Sequence, residues 1–210
     1  MNDYRIENDS MGELKVPTSS YYGAQTMRAI QNFPISDLKF QNSFIKALAQ
    51  IKLSAAEANF KLTLINEQCK NVIVSACQDI IAGKMNDQFV LDIFQTGSGT
   101  STNMNINEVI SNKAIEILGG EIGSKKPIHP NDHVNMGQSS NDVIPSAIHL
   151  SAISSINEKL LPSLKKLNNS LLKKSEEFMD VVKTGRTHLQ DATPSRLGQE
   201  FLGYAGQIER

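Results

Sequence analysis

From Phe44 onward, apolar residues recur at three- and four-residue steps, the spacing of one face of an α-helix. Phe44, Ile45, Leu48, Ile51, Ala55 and Ala58 make the first stripe. A second helix is predicted over residues 66–82, with Ile73, Ala76, Cys77, Ile80 and Ile81 on its apolar face and Gly83 as its C′ residue. A third begins just after Gly99-Thr100, carries Ile106, Val109, Ile110, Ala114, Ile117 and Leu118, and stops at Gly119-Gly120. A fourth starts near Asn141-Asp142, with Pro145 expected in its first turn. Its apolar residues run Ala147, Ile148, Ile153, Ile156, Leu160, Leu164, Leu167 and Leu171, a length that suits a bundle rod. Pro162 is expected to kink or break it. A fifth is predicted from Thr193-Pro194, with Leu197, Phe201, Leu202, Ala205 and Ile208.

Ahead of Pro34 the pattern is irregular, broken by Gly12, Pro17 and Gly23, with short strands or a hairpin near residues 4–16. The expected fold is therefore all-α. A small helical domain with an irregular or short-strand start (residues 1–138) leads into the beginning of a long-helix bundle (residues 139–210). The helical pattern is still running at Gln207-Ile208-Glu209-Arg210, so the chain is expected to be an N-terminal portion of something longer. A long apolar stripe also needs partners to cover it.

Charge and composition narrow the function more than the fold. The net charge of −1 is spread along the chain, with no basic patch for nucleic acid and no polybasic stretch for a membrane surface. No apolar run approaches the ~20 residues of a membrane span, and Met1–Arg5 lacks the apolar run of a signal peptide. A cytoplasmic location is expected. Cys69 and Cys77 lie two helical turns apart and read as buried free thiols rather than a disulfide.

Three polar clusters hold the candidate chemistry. In Gln95-Thr96-Gly97-Ser98-Gly99-Thr100, glycines allow close backbone approach and the hydroxyls precede a helix start, the setting for a small carboxylate. The same residues also fit an ordinary glycine turn with a capping threonine. Ser139-Ser140-Asn141-Asp142 reads equally as an anion site or a capping cluster, and His129-Pro130-Asn131-Asp132 as an anion site or a turn around Pro130. In Gly185-Arg186-Thr187-His188-Leu189-Gln190-Asp191-Ala192, His188 stands among donors rather than apolar residues, which favours a proton handler. There is no lysine of a nucleotide-phosphate loop and no Cys/His spacing of a metal site. His149, inside the long helix, is expected to face solvent or a helix neighbour.

Together these clusters resemble the fumarase/aspartase superfamily, and within it the class II fumarate hydratases. Arg5-Ile6-Glu7-Asn8-Asp9, Tyr21-Tyr22-Gly23-Ala24-Gln25-Thr26, Asn103-Met104-Asn105 and Asn107-Glu108-Val109 join the set in the family's order. Ser98, Ser140 and His188 stand where aspartate ammonia-lyases tend to have alanine, threonine and glutamine, so ammonia release from aspartate is the nearest rival. A catalytically silent, assembly-competent piece is the other.

The resemblance implies reversible hydration of fumarate to L-malate without cofactor or metal. It implies substrate binding by Ser98, Gly99, Thr100, Ser139, Ser140, Asn141 and Thr187, with His188 catalytic. An accessory dicarboxylate site would comprise Lys126, His129, Pro130, Asn131 and Asp132, with Lys125-Lys126 where the family commonly has arginine. It further implies a homotetramer with active sites shared among three subunits. The family's Gly-Ser-Ser-x-Met-Pro-x-Lys-x-Asn-Pro loop, which carries the serine base, does not occur in these 210 residues.

Overall fold

The computed structural model describes residues 3–210. They fall into two units, one ending at Ala152 and one spanning Ile153–Arg210. Both are mainly helical.

The first unit opens with an antiparallel hairpin, β1 (Tyr4–Asp9) and β2 (Gly12–Pro17), in which Tyr4 faces Pro17 and Asp9 faces Gly12. The Asp9 carboxylate accepts the Met11 N–H at 2.8 Å and closes the turn. The buried residue of β1 is a glutamate, Glu7, rather than an apolar residue.

Next comes α1 (Ala24–Asn32), in a stretch whose pattern suggests no helix. No local side chain caps its start, because residue 23 is glycine. The cap comes from far along the chain. Glu108 accepts the N–H groups of Gly23 (2.9 Å), Gln25 (2.9 Å) and Thr26 (3.1 Å), and the Thr26 hydroxyl at 2.6 Å. Glu7 accepts the Ala24 N–H at 3.0 Å. These are the first-turn donors that a helix leaves without partners, met by negative charge at its positive end. Burial raises the Glu108 carboxyl above its ordinary value, against the pull of these donors. Arg5 completes the assembly. It donates to Glu7 and to the carbonyls of Pro17, Ser20 and Tyr22 at 2.8–2.9 Å. A Cβ at Gly23 would lie 2.7 Å from Glu7 Oε2 and 2.9 Å from Glu108 Oε1, so only glycine lets both carboxylates approach.

The helices α2 (Asn42–Lys61), α3 (Glu67–Ile81) and α4 (Thr100–Ile117) supply the core. Most of their periodic residues meet as predicted: Ile45, Leu48, Ile73, Ile80, Ile106 and Ile110 are all within 2% of full burial, whereas Ala58 and Ile117, placed on the same stripes by the pattern, are exposed near the helix ends. Asn66 caps α3 through the Cys69 N–H at 2.8 Å, and Cys69 and Cys77 are buried free thiols. Burial pushes the Cys77 thiol up to about 12. A π-helical turn, Pro130–Val134, precedes α5 (Ser140–Ser155). Pro145 lies inside α5, beyond the first turn where the pattern placed it, and the helix continues through it.

In the second unit a π-helical turn, Ile156–Leu160, leads into α6 (Leu161–Glu177). Pro162 sits in the first turn of α6. Its missing N–H widens the winding just upstream and does not break the helix. A hairpin follows, β3 (Val182–Thr187) and β4 (Gln190–Arg196), and then α7 (Leu197–Glu209). Helix was expected from Thr193-Pro194, but both residues belong to β4, where Pro194 faces Thr184. A two-stranded ribbon has only edges, so a proline costs little there. Phe178 and Phe201 meet at 5.6 Å between ring centres, where α6 and α7 pack. Ile153, Ile156, Leu160, Leu161, Leu167 and Leu172 are exposed along the helical run, the stripe that the pattern left without a partner. Among the described residues no helix is long and apolar enough to cross a membrane.

Replacing Glu108 with glutamine puts an amide N–H₂ among N–H donors. E108Q is expected to lose about 2–4 kcal/mol of stability. Thermal unfolding that matches the parent would show that the distant cap is dispensable.

Candidate functional site

Two helix starts in the first unit carry most of the candidate hydroxyls, and local chemistry fixes both. Gly99 precedes α4 with φ +69°, a left-handed conformation. A Cβ there would lie 3.0 Å from the Ile144 side chain of α5, so glycine serves both the turn and the close approach of the two helices. Gln95 clamps the loop, accepting the N–H and hydroxyl of Thr102 at 2.9 and 3.0 Å and donating to the Asp92 carbonyl at 2.9 Å. Ser98 and Thr100 are exposed, with their hydroxyls 2.8 Å apart. A cavity of about 370 Å³ lies beside the loop, lined by Gly97, Gly99, Phe44, Ile144 and Ile148 among others. Ser98 and Thr100 do not line it, so it is separate from the hydroxyl face.

At α5 the Ser139 carbonyl takes the first helical bond from the Val143 N–H at 2.9 Å. The Ser139 hydroxyl donates to Asn141 Oδ1 at 3.1 Å and accepts the Asn141 N–H at 3.3 Å. The Ser140 hydroxyl accepts from Asn103 of α4 at 3.1 Å. Ser98, Gly99 and Thr100 at one helix start are thus tied to Ser139, Ser140 and Asn141 at another, through Asn103 and the Gly99–Ile144 contact. Two helix N-termini bearing hydroxyls can hold a carboxylate by dipole and by hydrogen bond.

The candidate accessory residues surround the π-helical turn. His129 Nδ1 accepts the N–H groups of Asn131 and Asp132 at 3.3 and 3.2 Å, which sets the ring proton on Nε2. The Asp132 carboxylate also stands 3.2 Å from Nδ1, a contact that attracts only a protonated ring. His129 donates its own backbone N–H to His133 Nδ1 at 2.9 Å. Pro130 is buried, while Asn131, Asp132 and Lys126 are exposed. Lys126 is on the exposed turn before the cis Lys126–Pro127 bond, and its backbone, not its ammonium group, bonds Ser124. Among the described residues no group of three or more His, Cys, Asp or Glu is placed to hold a metal ion.

Thr187 and His188 belong to the second unit. Thr187 ends β3 and pairs with Gln190, so His188 and Leu189 form a two-residue hairpin turn. Their φ values are +48° and +60°. Both signs match a type I′ turn, which asparagine and glycine normally fill. A histidine followed by leucine is strained there, and strain of this kind collects at functional sites. The turn holds the imidazole out in solvent at the hairpin tip. The sequence shows a polar stretch there; the hairpin that displays His188 is the structure's addition. His149 is exposed on α5, as expected.

Lys52 is the residue that pattern reading passes over. It lies on the buried face of α2, four residues after Leu48 and four before Ala56, and is 0% exposed. Its ammonium group donates to Asn135 Oδ1 at 2.8 Å and Gln138 Oε1 at 3.0 Å, in the loop that leads to Ser139. Burial lowers its pKa to about 7. A lysine in phase with an apolar stripe was the available signal.

A family model described as lyase matches residues 12–210. The chain is 55% identical over 208 residues to a class II fumarate hydratase of Halobacterium salinarum, covering 99% of this chain and 44% of that protein. It is 53% identical over 210 residues to the mitochondrial fumarate hydratase of Homo sapiens, covering 99% of this chain and 41% of that one. Among solved structures, the recombinant class II fumarase of Schistosoma mansoni superposes with a TM-score of 0.94 at 47% identity, over 98% of this chain and 43% of that chain. A fumarate lyase:delta crystallin of Brucella melitensis in native form gives 0.95 at 47% identity, over 98% and 48%. The chain therefore spans less than half the length of the relatives it matches.

Lys52 generates a pH signature. Its pKa is about 7 when folded and 10.5 ordinarily, so above pH 7 the unfolded chain binds the extra proton and stability rises with pH. The slope is at most about 1.4 kcal/mol per pH unit. Above the ordinary thiol value of 9.0, buried Cys77 acts in the opposite direction. Denaturant unfolding between pH 7 and 9 is expected to show a flatter profile in Lys52→Met than in the parent. Parallel profiles would mean that the lysine does not titrate in that window.

Proposed function

The chain belongs to the lyase family, and from that membership we propose that the full-length protein is a fumarate hydratase, interconverting fumarate and L-malate in the tricarboxylic acid cycle. The observation that carries this reading is the joining of two hydroxyl-bearing helix starts, Ser98–Thr100 and Ser139–Asn141, through Asn103 and Ile144. Identity of 50–55% to fumarate hydratases across the chain supports it.

In the dehydration direction, a base removes a proton from C3 of malate and the adjacent carboxylate takes up the charge as an aci-carboxylate. Ser98, Thr100, Ser139, Ser140, Asn141 and Thr187 are the proposed donors to the substrate carboxylates, where preorganised donors contribute most. Gly99 provides the tight turn and close approach, with backbone contact to the anion. His188, acting through a bound water, is the proposed handler of the departing hydroxyl. The chemistry assigned to these residues requires no cofactor or metal. His129, Asn131 and Asp132, with Pro130 and Lys126, form the proposed accessory dicarboxylate site. Lysine in place of arginine brings charge there without a bidentate fork.

In this reading residues 1–138 are the N-terminal lyase domain and 139–210 open the central helical bundle. The proposal extends to a cytoplasmic homotetramer whose sites are shared among three subunits; the exposed stripe of Ile153, Ile156, Leu160 and Leu167 supports association as such.

Purified full-length protein is expected to convert fumarate to malate, followed by loss of fumarate absorbance, and to release no ammonia from L-aspartate. Ammonia release without hydration would make it an aspartate ammonia-lyase, and neither activity would leave a silent assembly protein. His188→Asn should lower kcat by roughly 10²–10⁴; an unchanged kcat removes His188 from the reaction. Thr100→Val should reduce turnover by removing a donor, and equal turnover would make Thr100 a helix cap only.

A further inference from the structure

We infer that Lys52 is a positioning residue whose one-way hydrogen-bond chain through Asn135 and Asn103 presents the Ser140 hydroxyl as a donor to a substrate carboxylate. The inference rests on the fumarate hydratase reading for the identity of that substrate. The direction of the chain follows from donor and acceptor inventory.

Charged or neutral, the lysine has at least two N–H donors, enough for both amide oxygens, and each amide's own N–H₂ is already engaged on a backbone carbonyl. Its contacts with Asn135 Oδ1 (2.8 Å) and Gln138 Oε1 (3.0 Å) therefore fix which end of each amide faces it. Each amide N–H₂ is turned the other way, Asn135 to the Gln138 carbonyl (3.2 Å) and Gln138 to the Val134 carbonyl (2.9 Å).

Asn135 Oδ1 accepts a second bond, from Asn103 Nδ2 at 3.2 Å. Asn103 Nδ2 also donates to Ser140 Oγ at 3.1 Å. If the Asn103 amide were turned over, its oxygen would face Asn135 Oδ1, an acceptor against an acceptor. In the observed orientation Asn103 Oδ1 is buried without a hydrogen-bond partner among the described residues. An orphaned buried acceptor destabilises, so this orientation is held from the Nδ2 side, by the oxygen that Lys52 fixes.

The consequence falls on Ser140. A hydroxyl has one hydrogen to give. With Asn103 occupying an acceptor position of Ser140 Oγ, that hydrogen is available to an anion at the start of α5. A carboxylate needs a donor there, and a serine oriented as an acceptor would repel it. Lys52 is itself fully buried, so it acts only through this chain and does not touch the substrate.

The test is a double-mutant cycle on fumarate hydration by the full-length protein. Lys52→Met and Ser140→Ala are each expected to lower kcat/KM by about 10²-fold, the scale of one lost oxyanion donor. The double variant should be no more than about threefold below the worse single one, because both remove the same hydrogen bond. Lys52→Met combined with Thr100→Val should multiply instead. Full multiplication of the Lys52 and Ser140 effects, or an unchanged kcat/KM in Lys52→Met, would overturn the inference.

Should Lys52→Met not fold, Asn135→Leu breaks the same chain and should couple to Ser140→Ala, while Asn135→Asp keeps the acceptor and should retain activity. If the parent protein does not hydrate fumarate, the functional reading fails, and the chain is then judged by crystallography of Lys52→Met. Asn103 Nδ2 and Ser140 Oγ drawing apart beyond hydrogen-bond distance supports it, and an unmoved pair overturns it.

Discussion

A carboxylate on α4 closes the N-terminal part of the first unit. Glu108 gathers three backbone N–H groups and a hydroxyl from the start of α1, and Glu7 adds a fourth N–H from the hairpin. Arg5 then neutralises Glu7 and binds the carbonyls of the segment between hairpin and helix. Without these partners α1 would be a nine-residue helix with no cap at its start, too short to persist alone in water. The buried charge is tolerable because donors surround it, and Gly23 is required because any side chain would fill the space where the two carboxylates converge.

The same helix, α4, organises the candidate site from its other end. Asn103, Asn105, Asn107, Glu108, Ser111 and Asn112 are all buried, on a helix whose periodic residues suggest one apolar face. Buried on nearly every side, α4 uses apolar residues for packing and polar residues for connections. Asn105 reaches the Gln88 carbonyl, Ser111 the Ile128 carbonyl and Asn112 the Tyr21 carbonyl. Directional polar contacts of this kind specify one arrangement of neighbouring segments more sharply than apolar packing does. That arrangement sets the loop before α4 against the start of α5.

The second unit solves a different problem. A two-residue turn displays His188 at the tip of a hairpin, in a backbone conformation that histidine and leucine adopt at a cost. The Lys183–Glu200 ion pair ties the hairpin to α7, and α6 and α7 meet through Phe178 and Phe201. The helical run keeps a stripe of apolar residues in solvent. An uncovered apolar helix face suits contact with further protein surface.

Periodicity along the chain determined the long helices α2, α3, α4 and α5–α6 and their apolar faces, because burial of a stripe at 3.6-residue spacing is a local property of sequence. The candidate site residues stand out in the sequence as hydroxyls, amides and glycines, those of the first unit clustered ahead of these helices and Thr187-His188 in the later hairpin. The short elements were not. α1 is capped by Glu108, more than eighty positions away, and no local pattern encodes such a partner. The β3–β4 hairpin carries a proline in one strand and lacks the asparagine–glycine pair that marks its turn type, so its strand pairing, not its local preference, decides it. Lys52 was hidden for a related reason. A lysine reads as a solvated side chain until tertiary structure places Asn135 and Gln138 over it, since a buried charge is stabilised only by groups that folding brings from elsewhere.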